Sequence, residues 1–174
     1  MTVTEPRAAR TDLIRALTRV ERVFVIPVSA DGQLLLLRHE LARGAYWTFP
    51  TVPRTLPRMH LAPLARKLTR DELGVEPTQL RLVAVLEPSR AHGRAAVYAA
   101  EMPGTGTQII TNRASHPIRR HPLQAMTFTA DTLAVLDVRP IAITALLTSG
   151  GDPARNAMQL PDLLHAATSG QDDR

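Results

Sequence analysis

Residues 47–75 read WTFPTVPRTLPRMHLAPLARKLTRDELGV, and this stretch decides the fold. It has three parts. Trp47-Thr48-Phe49-Pro50 is an apolar anchor closed by proline. Residues 51–60 hold Pro53 and Pro57, which cannot donate backbone hydrogen bonds, so an irregular loop is predicted. From Leu61 to Leu73 the apolar residues Leu61, Leu64 and Leu68, with Ala65 beside them, fall on one stripe of a helix. Pro63 fits its first turn, where a missing N–H does no harm. Gly74 ends it, because a left-handed cap favours a residue without Cβ.

Strand signals lie on both sides of this unit. Upstream, Arg22–Ser29 (RVFVIPVS) predicts a strand, Ala30-Asp31-Gly32 a hairpin turn and Leu34–Arg38 the return strand. Leu35, Leu36 and Leu37 form an unbroken apolar run, as in a strand covered on both faces. Downstream, strands are predicted at 79–87, 94–101 and 107–111, then a basic loop over 112–122 and a strand over 123–129. A short helix near Asp131 and a longer one over 140–148 follow. Gly150-Gly151-Asp152-Pro153 should break the chain before a last helix at 161–168. Residues 1–10 read as disordered, and Thr11 or Asp12 caps a helix to about Val20. The pattern predicts an α/β sandwich in three segments: an N-terminal extension over 1–20, the main domain over 21–150 and a tail with a short helix over 151–174.

Composition narrows the function. The 174 residues are 44% hydrophobic but only 3% aromatic, so the core must be aliphatic. Absence of cysteine excludes disulfides, thiolate metal sites and a cysteine nucleophile. No apolar run approaches the roughly 20 residues that span a bilayer, and the first residues lack the apolar stretch of a secretory signal. A soluble cytoplasmic protein with no membrane partner is the expectation. The net charge of +5 favours an anionic partner. Of 21 basic residues only Lys67 is lysine. Arg, Ala, Leu and Pro loading of this kind is also what a GC-rich bacterial genome produces.

The layout Trp-x-x-Pro, irregular loop, helix, acid-acid-x-Gly-aliphatic resembles the Nudix box, the signature of enzymes that cleave nucleoside diphosphates linked to another group. With U for an aliphatic residue, the box is G-x5-E-x7-R-E-U-x-E-E-x-G-U. Counted back from Val75, this chain has Pro53 for the glycine, Met59 for the first glutamate and Lys67 for the arginine. It has Leu68 for the next glutamate and Thr69 for U. Asp71 and Glu72 stand at the acidic pair, and Gly74-Val75 closes the motif. Thr127–Pro140 (TFTADTLAVLDVRP) also resembles a strand–helix phrase near the end of such domains. The resemblance covers about residues 20–150. It implies an αβα sandwich with a mixed, curved sheet between helices, the box helix lining the site.

It also implies chemistry. Such hydrolases use a divalent ion, typically Mg²⁺, held by carboxylates. Positions 68, 71 and 72 share one helix face. Here Leu68 supplies no oxygen, so Asp71 and Glu72 remain as catalytic and metal-ligating candidates, and tight Mg²⁺ binding is not expected. The alternative is that both acids pair with Lys67 or a nearby arginine. The glutamate that often serves as base outside the box has no counterpart near 112–122; Glu87 and Glu101 remain.

Charge is also segregated. Between Glu40 and Asp71 there is no acid, and between Glu101 and Asp131 there is none. Arg38, Arg54, Arg58, Lys67, Arg119 and Arg120 are the candidates to hold an anion, since guanidinium groups match phosphate oxygens in pairs. The alternative is that they coat the surface. Loop 112–122 lacks the aromatics that stack on bases, so nucleic acid is not the expected partner. Three readings stay open. One is recognition of, or altered chemistry on, an anionic nucleoside- or alkyl-diphosphate-type ligand. The second is an active Mg²⁺-dependent pyrophosphohydrolase with a rebuilt site. The third is a protein-interaction module, with helix 161–168 dimerising or docking.

Overall fold

The computed structural model describes residues 6–56, 59–115, 121–126, 128–149 and 151–169. Helix α1 (Pro6–Thr18) leads into strand β1 (Arg22–Val28), followed by β2 (Leu34–Leu41), β3 (Gly44–Thr48) and β4 (Thr51–Pro53). Helix α2 (Leu61–Leu73) precedes β5 (Gln79–Leu86) and β6 (Ala95–Glu101). Then come α3 (Gly106–Ala114), β7 (Leu123–Met126), α4 (Ala130–Val135), β8 (Val138–Arg139), α5 (Ile141–Leu147), α6 (Pro153–Gln159) and α7 (Leu163–Ser169).

The strands form one mixed sheet in the order β5-β6-β1-β2-β3-β8, with β4 paired to β1 and β7 to β2. β1 runs parallel to β6 over Arg22–Val28, and β2 pairs antiparallel with β1 where Val28 faces Leu34. Side chains alternate across a strand, so the leucine run of β2 divides between the faces. Leu34 and Leu36 join Phe24, Ile26 and Phe49 under α4, α5 and α6. Leu35 and Leu37 join Val23, Val25 and Tyr98 under α2 and α3. All four leucines are buried, as an unbroken apolar run requires. The αβα sandwich is thereby established.

Several expectations need correction. The segment 107–111 is not a strand but the body of α3, because the Thr105 hydroxyl accepts from the Gln108 N–H and the Gln108 side chain accepts from the Thr105 N–H. That reciprocal cap satisfies two N–H groups that a helix start leaves open. Residues 6–10, read as disordered, are the first turns of α1. The Gly-Gly-Asp-Pro break opens α6, where the Asp152 carboxylate accepts from Ala154. Ala154 and Ala157 of α6 are buried in the same cluster as the sheet, so the tail carries part of the core.

The α2 prediction fits the structure. Gly74 takes φ 77° at its C-cap, and its N–H returns to the Arg70 carbonyl. His60 stands at the N-cap but is exposed and its side chain makes no cap bond. Trp47 is a half-buried anchor whose indole N–H donates to the Gln124 Oε1 at 2.8 Å.

Candidate functional site

The box helix presents its chemistry at its C-terminal half. Leu64, Ala65, Leu68, Thr69 and Leu73 are buried against the sheet. Leu68 is only 5% exposed and belongs to the core with Val25, Leu35 and Ile109. The position where a third carboxylate would stand is thus a packing position.

The two remaining acids are already paired. Asp71 is held by the Lys67 ammonium one turn back, with both side chains about half exposed. Glu72 is held from α3, whose Arg113 is 5% exposed. The Arg113 Nε donates to the Glu72 backbone carbonyl at 2.5 Å, and its Nη2 lies 3.6 Å from the Glu72 carboxylate. A guanidinium therefore sits beside the carboxylate that a metal would need. Met59, at the place of the first box glutamate, packs partly buried against the same core cluster. A hard divalent cation wants several oxygen ligands. One apolar core residue and two ion-paired acids do not fit it. Among the described residues, no three His, Asp or Glu side chains group as a metal site would.

The anion-binding candidates separate. Arg54 is used by the backbone: its Nε donates to the Met59 carbonyl, and its Nη1 reaches the carbonyls of Leu17, Thr18 and Val20. It closes the C-terminal end of α1, where carbonyls lack helical partners. Lys67 pairs with Asp71 on the outer flank of α2. Arg38 follows Leu36 on the face away from α2, pairs with Glu40 at 3.0 Å and lies over the Trp47 ring at 5.9 Å. Arg38 and the α2 cations thus occupy opposite faces of the sheet. Arg58, Arg119 and Arg120 lie outside the described residues.

Sequence reading gave Arg113 no role beyond the charge of its stretch. Its partner is 41 positions away, and no local signal marks a pair so distant. It also missed a polar cluster at the end of β2 and β3. There His39 stacks on Tyr46 at 4.7 Å, lies 4.0 Å from the His121 ring and hydrogen-bonds the Thr48 hydroxyl at 2.8 Å. Burial, and then the neighbouring His121, lower the His39 pKa. Arg139 covers the Tyr46 ring while making two bonds to Asp137, whose carboxyl is held below its usual range by them.

No protein-family model matches the sequence, and none of the curated proteins matches it. Solved structures do match. The MutT protein analysed from Aliivibrio salmonicida and Vibrio cholerae aligns with a TM-score of 0.54 at 11% identity, covering 76% of this chain and 98% of that one. A mutT/nudix family protein from Listeria innocua aligns at 0.54 and 12% identity, covering 79% and 90%. A Sinorhizobium meliloti chain described as an oxidoreductase aligns at 0.55 and 16% identity; the match covers 90% of this chain but 46% of that longer one. At these identities the likeness is one of fold.

Proposed function

We propose that this chain, which has the Nudix fold, works by recognising an anionic ligand of the nucleoside- or alkyl-diphosphate type rather than by metal-dependent hydrolysis. One observation carries the reading: both acids kept from the box are neutralised from within, Asp71 by Lys67 and Glu72 by Arg113, while Leu68 is core. Hydrolases of this superfamily use carboxylates to collect metal, and metal to neutralise diphosphate. Here the protein's own cations neutralise the carboxylates. An incoming diphosphate then meets little repulsion at this end of α2. The surrounding stretches, 41–70 and 102–130, contain no acid at all. In this reading Arg58, Arg119 and Arg120 supply the guanidinium groups for the ligand, and Lys67 is left to Asp71. Arg54 and Arg38 are left to the structural duties described above.

The test is calorimetry with inorganic pyrophosphate and ADP-ribose in EDTA, alongside a turnover assay of the same compounds with Mg²⁺. The expected result is metal-independent binding, weakened roughly 10- to 100-fold in Arg58→Ala or Arg120→Ala, since each charge-assisted bond contributes about 1.5–3 kcal/mol. No turnover should accompany it. Mg²⁺-dependent turnover in the ordinary enzyme range of about 1–1000 per second, lost in Glu72→Gln, would instead establish the hydrolase.

A further inference from the structure

Two imidazoles face each other where β2 meets the start of β7. In the register of these strands Leu37 stands opposite Leu123, and the Arg38 N–H donates to the Pro122 carbonyl. Continued by two residues on each side, that pairing sets His39 opposite His121 on one face of the sheet. Their ring centres lie 4.0 Å apart, with the planes tilted by 40°. On its other edge β2 pairs with β3, where Tyr46 stands opposite His39 and stacks on its ring at 4.7 Å. The His39 ring is therefore held from both neighbouring strands.

The hydrogen bonds leave a definite set of nitrogens open. The His39 Nε2 lies 2.8 Å from the Thr48 Oγ1. When Nε2–H donates to that oxygen, the Nδ1 carries the lone pair. Among the described residues the His39 Nδ1 makes no hydrogen bond, and neither nitrogen of the exposed His121 makes one. A histidine that binds a metal ordinarily donates its other N–H to an oxygen, which fixes its tautomer and the aim of the ring. Thr48 gives His39 that partner. Nearby charge does not oppose a cation, because Arg139, 4.5 Å from the Tyr46 ring, is bound twice by Asp137.

The donor set selects the ion. Mg²⁺ and Ca²⁺ take oxygen ligands. Imidazole suits Cu²⁺, Ni²⁺ and Zn²⁺, and Cu²⁺ binds most tightly of the three. Metal–nitrogen bonds of about 2.0 Å place two imidazole centres at a right angle roughly 4.4 Å apart. The observed 4.0 Å opens to that distance by a small shift of His121, which is exposed.

We infer that the His39 Nδ1 and one ring nitrogen of His121 form a two-imidazole site for a borderline divalent transition ion, Cu²⁺ foremost, with water in the other positions. The ion would clip β2 to β7 and exchange with solvent. The site shares no residue with Asp71 and Glu72, so its failure leaves the diphosphate reading untouched.

The test is a Cu²⁺ titration of the full chain near neutral pH, without any anionic ligand, read by calorimetry, melting and electron paramagnetic resonance. One ion should bind at micromolar concentration, show echo modulation from two imidazoles and raise Tm. Thr48→Val removes only the outer oxygen and should weaken binding roughly 10- to 100-fold, and His39→Gln or His121→Gln should weaken it further. His121→Gln alters an exposed side chain and so spares the fold. Saturation only at millimolar Cu²⁺, modulation from fewer than two imidazoles, or an affinity unchanged in His121→Gln would each overturn the site.

Discussion

Replacing Leu68 with glutamate would put a third carboxylate beside Asp71 and Glu72 on α2, and the structure predicts that it damages the fold. Leu68 is 5% exposed and packs within the core cluster under α2. Truncating a buried leucine to alanine costs about 2–5 kcal/mol. Burying a carboxyl group without a built partner adds roughly 1–3 kcal/mol more. A loss of roughly 3–8 kcal/mol is a large share of the 5–15 kcal/mol typical of a whole domain. For a chain of this size it lowers Tm by roughly 6–32 °C, at about 2–4 °C per kcal/mol. The loss should also depend on pH in a definite sense. Burial raises the pKa of the new carboxyl above its unfolded value of about 4.3, so the unfolded state releases the proton first as pH rises. The deficit against wild type is therefore smaller at pH 5 than at pH 8. Calorimetric melting of wild type, Leu68→Ala and Leu68→Glu at both pH values, with and without 10 mM Mg²⁺, decides the matter. If Leu68→Glu melts within about 2 °C of wild type, or Mg²⁺ raises its Tm above wild type, position 68 faces a cleft and the packing argument is wrong.

Three further outcomes follow from the same geometry. Arg113→Gln removes the cation from Glu72; with Glu72 37% exposed, water screens part of the loss, leaving roughly 1–3 kcal/mol, and a double-mutant cycle with Glu72→Gln should show the two changes to be non-additive. Arg54→Met should free the C-terminal end of α1, so that hydrogen exchange over residues 6–18 quickens while the response to pyrophosphate is unchanged; a lost response would return Arg54 to the ligand site. The lowered pKa of His39 means that the unfolded chain takes up the proton first as pH falls from about 6.5. That histidine's share of stability is present above this pH and is lost below it, and His39→Gln should flatten the fall in Tm between pH 7 and pH 5.5.

The elements that depend on local chemistry could be read from the chain. α2 was fixed at both ends by the apolar stripe and by Gly74, and the leucines of β2 announced a strand buried on both faces. At 107–111, predicted as a strand, Ile109, Ile110 and Thr111 are β-branched and favour extended backbone. The signal Thr105-x-x-Gln108 stood in the sequence and outranks that propensity, since a reciprocal cap satisfies donors that a strand reading leaves unexplained. The site was only half legible. That Leu68 supplies no oxygen follows from its identity, and its burial follows from its place in the stripe. That Arg113 would meet Glu72, or Arg54 the end of α1, depends on how helices distant in sequence cross the sheet, which no local pattern specifies. The hairpin turn shows the same division. Asp31 was legible as a turn residue, but its carboxylate also accepts from the Gly106 N–H at 2.9 Å, tying the hairpin to the start of α3.

The residues on either side of α2 do structural work that does not require carboxylates. Gly74 holds φ 77°, a region an L side chain rarely enters, and so closes α2 whatever the helix binds. Pro50 is buried, and its carbonyl accepts from Val25 in the middle of β1. Trp47 reaches Gln124 across to β7. The frame positions thus fasten the loop and helix to the sheet. Three carboxylates on one helix face are different: they repel one another, and only a bound cation offsets that repulsion. In this chain position 68 holds a leucine that adds to the core. Asp71 is offset by Lys67 on its own helix, and Glu72 by an arginine from the neighbouring helix. Each arrangement lets α2 hold its place in the fold without a bound ion. Glu72 and Arg113 join α2 to α3, so turning Glu72 into an ion ligand would first require breaking a contact that the fold uses.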